Sequence, residues 1–240
     1  MCEDRRRGGG EDVGCEEGKR PDLRGLTPTY EVRLGDEDVV SYAIVDEVKL
    51  PVYREVYVPS DDTYLLIDLL DIRGGELVLE VGCGCGIISV IAVLRGARRV
   101  IAVDVNPYAV LNTRNNVVGC GIYGLVDVVQ SYGCSCLALR PRFDVVIFNP
   151  PYLPQEEVNS WVEVSWAGGS RGYEVLLDIL NDLLGLVKCH GKLYVVVSSL
   201  SGGRELIRRI EGLGLRTSRI KCKRMFFEEI CAVEFTRLCG

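Results

Sequence analysis

From residue 60 onward the chain alternates short, unbroken apolar runs with stretches of helical spacing. Leu77-Val78-Leu79-Glu80-Val81, Val100-Ile101-Ala102-Val103, Val126 to Gln130, Phe143 to Phe148 and Leu193 to Val197 have the length and β-branched content of buried strands. Ser60-Asp61-Asp62 marks a helix start that continues through Tyr64 to Leu70, and an apolar helix follows the glycine-rich turn 82–86 to about Leu94. Pro107 opens another helix, at a position where its missing N–H costs nothing. A long helix runs from about Tyr173 to Leu186 with Leu176, Ile179, Leu180, Leu183 and Leu184 on one face, and a further helix spans roughly 203–212. Two more strands, about 215–223 and 228–236, share a short connection and must pair antiparallel. This alternation predicts an α/β fold: a seven-stranded, mostly parallel sheet with an antiparallel C-terminal strand and helices on both faces. Such sheets bind ligands beyond the carboxyl ends of their strands, where the strand order reverses.

Before residue 60 the pattern is weaker. Residues 1–28 are polar and glycine-rich, and a disordered or loosely attached tail is expected there. Residues 29–240 then form one domain, with 29–58 as a strand-like extension. Within that extension Tyr30-Glu31-Val32-Arg33-Leu34 and Val39 to Ile44 flank Gly35-Asp36, which suggests a hairpin, and Val52 to Val58 reads as another extended piece.

Composition narrows the classes. With 240 residues, 48% of them hydrophobic, the chain can bury a sizeable core and global disorder is excluded. No apolar run approaches the roughly eighteen residues that span a bilayer, and no apolar region follows Arg5-Arg6-Arg7, so neither a membrane span nor a signal peptide is expected and the location should be cytoplasmic. The formal net charge of −6 argues against a protein that lives on duplex nucleic acid. Residues 204–240, with 9 Lys/Arg against 5 Asp/Glu, are the one stretch suited to a phosphate backbone or an acidic partner. A single histidine, His190, rules out a His-rich metal site. The eleven cysteines include Cys83-x-Cys85 and Cys134-x-Cys136 but no zinc-type pair, so they are expected to fill core and loop positions, with no metal site. In a hyperthermophile, Cys222 and Cys231 on neighbouring strands could form a disulfide.

Two motifs carry chemistry. In Glu80-Val81-Gly82-Cys83-Gly84-Cys85-Gly86 the glycines let the backbone turn tightly between strand and helix and approach a ligand. Asp104 ends the next strand, where an acid can accept both hydroxyl protons of a ribose. Together they imply an adenosine-containing ligand. The spacing is G-x-G-x-G rather than the G-x-G-x-x-G that faces a pyrophosphate, and Glu80 would repel a pyrophosphate but could help hold an ammonium group. The second motif is Asn149-Pro150-Pro151-Tyr152 at the end of the fourth strand. Its prolines donate no hydrogen bonds and hold an extended turn. The Asn149 side-chain oxygen and the Pro150 carbonyl are then two acceptors for a planar NH₂ group, with Tyr152 placed to stack on its π face.

The glycine motif resembles motif I of the Rossmann-like class I S-adenosylmethionine-dependent methyltransferases, and the tetrapeptide resembles the catalytic motif of enzymes that methylate planar exocyclic or amide nitrogens. Val58 to Leu66 and the W-x-G-G-x-x-G element Trp166 to Gly172 are similar to segments of the release-factor glutamine methyltransferases, in their compact archaeal and eukaryotic form. The resemblance covers roughly residues 52–238. It implies methylation of the glutamine in the Gly-Gly-Gln loop of the class I release factor, and a small zinc-binding activator protein as partner. It places Thr63, Glu80, Gly82, Gly84, Gly86, Asp104, Asn106, Ser131 and Asn149 about the cofactor. It gives Asn149, Pro150 and Tyr152 catalytic roles and sets Pro151, Trp166, Gly168 and Gly169 at the acceptor pocket, whose flexible wall the W-x-G-G-x-x-G element is expected to form. Ser131 stands where the family usually has the Asp that contacts the adenine amino group. The alternatives are a guanine-N2 or adenine-N6 methyltransferase, which would need a basic groove, a protein lysine methyltransferase, and a non-catalytic binding protein.

Overall fold

The computed structural model describes residues 19–23, 25–26, 32–137 and 143–239. Seven strands form the main sheet: β3 (Leu77–Val81), β4 (Arg99–Asp104), β5 (Val126–Gln130), β6 (Phe143–Phe148), β7 (Val187–Ser198), β8 (Leu215–Arg224) and β9 (Glu229–Arg237). A separate antiparallel hairpin, β1 (Val39–Val45) and β2 (Val48–Tyr53), precedes them. The helices are α1 (Asp61–Leu69), α2 (Ile87–Leu94), α3 (Pro107–Gly119), the short α4 (Trp161–Val164), α5 (Glu174–Leu186) and α6 (Gly203–Glu211).

The sheet order is β5-β4-β3-β6-β7-β9-β8, with β3 to β7 parallel and β9 antiparallel to both β7 and β8. The apolar runs read as two-sided strands are so because successive residues feed opposite cores. Val78, Val100, Val145 and Val196 pack with α1, α2 and α3, whereas Leu79, Val146, Val195 and Val197 pack with α5 and α6. The chain runs outward from β3 through β4 to β5, then crosses back to β6 on the other side of β3. The strand order therefore reverses between β3 and β6, and the two motifs leave the carboxyl ends of those two strands.

The hairpin is shifted from its predicted place. Gly35 leads into a short 3-10 turn (Asp36–Asp38) rather than a hairpin turn, and β1 instead pairs with β2 through Asp46-Glu47, with Asp46 at φ 50°. Asp is among the few residues that tolerate that left-handed conformation, so no glycine was needed to mark the turn. The predicted first strand does not form over Val32 to Leu34, while Tyr30 and Glu31 lie outside the described residues. The hairpin is held on α3 by two asparagines: Asn112 and Asn116 both donate to the Pro51 carbonyl, at 2.9 and 3.0 Å.

Disulfides join Cys222 to Cys231 across β8 and β9 and Cys189 to Cys239 at the far end of β7. The second pair was not expected, because its partners lie 50 residues apart and only the folded sheet brings them together. No helix among the described residues is long and apolar enough to cross a membrane.

Candidate active site

The half of the site below β3 and β4 is built by backbone geometry. Gly82, Gly84 and Gly86 have φ of 74°, 55° and 83°, so all three occupy the left-handed region that side chains avoid. Each also stands where space matters differently. A Cβ on Gly86 would come within 2.8 Å of Thr113 Cγ2, so this glycine lets α2 close on α3, whereas a Cβ on Gly84 would meet nothing within 4 Å. The Gly84 N–H donates to Asp104 Oδ2 and the Asn106 N–H to Asp104 Oδ1, both at 2.9 Å. Burial pushes the Asp104 carboxyl up to about 6, against the pull of these N–H groups. The Glu80 carboxyl is buried on the Ser89 hydroxyl of α2, and desolvation pushes it up to about 8. Cys83 and Cys85 are buried thiols raised by desolvation, Cys85 to about 12, which suits packing and not nucleophilic chemistry. Asn106 caps α3 by accepting from Tyr108 N, and its amide nitrogen donates to the Glu55 carbonyl. The Ser131 hydroxyl is turned into its own loop, beside Ser135 Oγ at 2.8 Å and accepting from Cys136 N at 3.2 Å.

The other half lies after β6. Asn149 Nδ2 donates to Asp62 Oδ2 at 3.0 Å, and the Tyr152 hydroxyl donates to the same oxygen at 3.3 Å. Asp62 Oδ1 accepts from the Tyr57 hydroxyl at 3.0 Å. Burial and the Asp62 charge raise both tyrosine hydroxyls well above their usual range, so they stay protonated donors. Asn149 Oδ1 is buried and has no hydrogen-bond partner. Such an orphan acceptor costs free energy unless something is bound there, so its occurrence marks a ligand position.

One cavity of about 540 Å³ joins the two halves. Its wall includes Thr63, Glu80, Gly82, Gly84, Asp104, Asn106, Ser131, Asn149 and Pro151 from the sequence-predicted set. Gly86, Pro150, Tyr152, Trp166, Gly168 and Gly169 do not line it, although Val164, Ser165 and Ala167 do. The glycines instead admit backbone. A Cβ on Gly168 would lie 2.7 Å from the Pro151 carbonyl oxygen, and one on Gly172 would lie 2.5 Å from that of Tyr152. Leu153 N donates to Trp166 O at 2.8 Å and Gly168 N to Leu153 O at 2.9 Å, so this segment clamps the tetrapeptide from behind instead of forming a loose wall.

Three contributors were not foreseen. Asp62 and Tyr57 have no motif of their own, and only the paired acids at the start of α1 hinted that one of them turns inward. Lys19 to Leu23, within the stretch expected to be a loose tail, also line the cavity. The Lys19 carbonyl accepts from Ser170 N at 3.2 Å, and Arg20 pairs with Asp178 at 2.6 Å while lying over the Tyr132 ring. The remainder of the predicted tail, residues 1–18, 24 and 27–28, lies outside the described residues.

The cavity fits an adenosine-bearing sulfonium ligand. Its carboxylates suit hydroxyl and ammonium groups and oppose a pyrophosphate, and the open side of Gly84 leaves room for close approach.

The chain is similar to known methyltransferases. The family model described as "Methyltransferase small domain" matches residues 60–212. A Methanocaldococcus jannaschii protein named "Putative protein N5-glutamine methyltransferase" is 34% identical over 81% of this chain and 98% of its own length. Methyltransferase HEMK2 of Mus musculus is 31% identical over 77% of this chain and 91% of its own. Among solved structures, the E. cuniculi Mtq2–Trm112 complex, described as responsible for methylating the eRF1 termination factor, has a TM-score of 0.55 at 24% identity, covering 76% of this chain and 99% of that one. The last likeness bears on the fold alone. With its glycine turn meeting Asn149 and Pro151 in one cavity, the chain belongs to the methyltransferase small-domain family, in the group of the protein N5-glutamine methyltransferases.

Proposed function

We propose that this protein is an S-adenosylmethionine-dependent methyltransferase that modifies the N5 nitrogen of the glutamine in the Gly-Gly-Gln loop of the class I release factor. The observation that carries the reading is the unpartnered Asn149 Oδ1 at the carboxyl end of β6, on a residue that lines the same cavity as the glycine turn. The cofactor, when bound, supplies an electrophilic methyl group.

The protein's own part is positioning. An amide nitrogen is a poor nucleophile because its lone pair is delocalised into the carbonyl. Asn149 Oδ1 and the Pro150 carbonyl accept its two N–H bonds, which fixes the amide plane and raises electron density on nitrogen. Orientation of this kind can lower a barrier by roughly 7–11 kcal/mol. Asp104 would hold the ribose hydroxyls, the Gly82–Gly86 turn would let the backbone approach, and Thr63 and Glu80, which line the same cavity, would serve the polar end of the cofactor. Ser131, its hydroxyl already engaged, offers the adenine backbone groups in place of the family's usual carboxylate. The partner is a small zinc-binding activator protein, and the site of action is the cytoplasm.

A nucleic-acid acceptor is disfavoured by the state of the basic C-terminal segment. Arg219 pairs with Glu234, Lys221 with Asp68, Lys223 with Asp61 and Arg224 with Glu229, so these cations neutralise the protein's own acids. The deciding experiment incubates the protein, with and without the activator, with labelled cofactor and three acceptors: release factor, histone and RNA. Label on the release factor that disappears when its loop glutamine is replaced supports the reading. Label on RNA alone, or on histone alone, overturns it.

A further inference from the structure

An asparagine that must accept a hydrogen bond can fail by turning round, because its oxygen and nitrogen ends are nearly the same size. With Oδ1 forward, Asn149 receives an N–H of the acceptor amide. With Nδ2 forward, it opposes that N–H with another donor. Something must set the sense of this side chain, and neither proline of the motif can.

The group that sets it is Asp62. Its side chain is buried, with 3% of the residue exposed. It is met by donors: Thr63 N at 2.6 Å, the Tyr57 hydroxyl at 3.0 Å and the Thr63 hydroxyl at 3.3 Å on Oδ1, and Asn149 Nδ2 at 3.0 Å and the Tyr152 hydroxyl at 3.3 Å on Oδ2. A carboxylate only accepts, so the NH₂ end alone of Asn149 can face it. The reversed amide would set two oxygens against each other in a buried place. The consequence is that Oδ1, at the end of the amide turned away from Asp62, is left without a partner on a residue that lines the cavity.

We propose that Asp62 is a positioning residue for methyl transfer: it fixes the sense of the Asn149 amide and the Tyr152 hydroxyl, and its charge makes Asn149 Oδ1 a stronger acceptor. The inference rests on the amide-acceptor reading given under Proposed function. The charge acts through the amide, since a carboxylate bonded to the NH₂ end favours the resonance form with negative oxygen. The ordinary role for an acid in a helix's first turn is to favour the helix N-terminus. Asp61 fills that role from the same turn, and it is half-buried and paired with Lys223. It is therefore an internal control.

The test compares Asp62→Asn with Asp61→Asn in the complete protein with its activator. In Asp62→Asn, Oδ1 is retained by Tyr57 and Thr63 N, so the new NH₂ faces Asn149 and turns it round. Turnover is expected to fall about thirtyfold or more, with KM for the release factor and cofactor affinity by calorimetry each within about threefold of wild type. Asp61→Asn should leave all three near wild type. The exchange Asp62→Asn with Asn149→Asp restores the pattern, since the new amide donates to one oxygen of the new carboxylate and the other faces the cavity. It should recover at least about tenfold over the weaker single variant. The Nδ2 resonances of Asn149, slow to exchange in wild type, should become fast in Asp62→Asn. Turnover of Asp62→Asn within threefold of wild type overturns the proposal. So do a loss of cofactor binding that matches the loss of turnover, and an exchange variant no better than its singles. A wild-type protein that methylates no amide would instead sink the acceptor reading.

Discussion

The two halves of the cavity are built on opposite principles. After β3 and β4, the polar groups already have protein partners: Asp104 takes the Gly84 and Asn106 N–H groups, and Glu80 takes the Ser89 hydroxyl. After β6, the one group that matters most has none, because Asn149 Oδ1 is buried and unpartnered while the groups behind it are fully engaged. The first half can hold its shape before a ligand arrives. The second is held incomplete, and the rest of the fold bears that cost in advance, so the acceptor amide meets a donor-hungry oxygen that need not reorganise. Changes in the acceptor half should therefore alter turnover, and changes in the cofactor half should alter binding.

The largest break in that contrast is expected at Asn149. Asn149→Ala removes one of the two acceptors, worth about 2–4 kcal/mol by analogy with a lost oxyanion-hole donor. Turnover with the release factor should fall at least about thirtyfold while calorimetry shows cofactor affinity largely kept. Turnover near wild type would remove Asn149 from the mechanism. At Asp104 the pattern should invert. Asp104→Ala takes away the ribose acceptor and also strands the Gly84 N–H, so cofactor affinity should drop at least about tenfold, or about 1.4 kcal/mol, with turnover at saturating cofactor changed less. Unchanged affinity would refute its ribose role.

How much of this was legible in the sequence follows the same division. The cofactor half is local: strand, glycine turn and helix are contiguous, and the next strand's last residue supplies the acid, so spacing alone found Gly82, Gly84, Gly86 and Asp104. The five parallel strands were equally plain, since burial on both faces leaves continuous apolar runs. The acceptor half is not local. Asn149 was visible in its motif, but Asp62 stands 87 residues earlier, and only the packing of α1 against the sheet joins them. The hairpin failed for a smaller reason. A glycine at Gly35 looked like the turn, while the real turn uses Asp46. The cavity contacts of residues 19–23 include a backbone bond and an ion pair, which leave no hydrophobic pattern to read.

A subtler test of the cofactor half uses pH. Glu80 is pushed up to about 8 by burial, so below that pH the empty site holds it mostly neutral. A bound ammonium group favours the ionised form, so binding must expel a proton, and affinity should rise as pH climbs from 6 to 8. Asp104, pushed up only to about 6, is half ionised at the start of that window and mostly ionised by pH 7, so the rise from 7 to 8 is the part that reports on Glu80. The rise should be about three- to tenfold, given that one pKa unit corresponds to about 1.4 kcal/mol. Glu80→Gln should flatten it. A wild-type affinity constant across the window would show that Glu80 does not meet the cation.

The smallest effect is expected where the chain's own N-terminal segment borders both halves. Lys19 to Leu23 line the cavity, held by one backbone bond to Ser170 and by Arg20 on Asp178 and Tyr132. Arg20 is 54% exposed, and an ion pair in that setting contributes at most about 1 kcal/mol. Arg20→Ala should thus speed cofactor release only about two- to fivefold, measured by stopped-flow fluorescence, and raised salt should shrink the difference by screening the wild-type pair. Because the segment is anchored on Ser170 and Tyr132, single-turnover methyl transfer from the loaded enzyme should be unchanged. If that rate falls along with release, the segment reaches across the division, and the two halves are not independent.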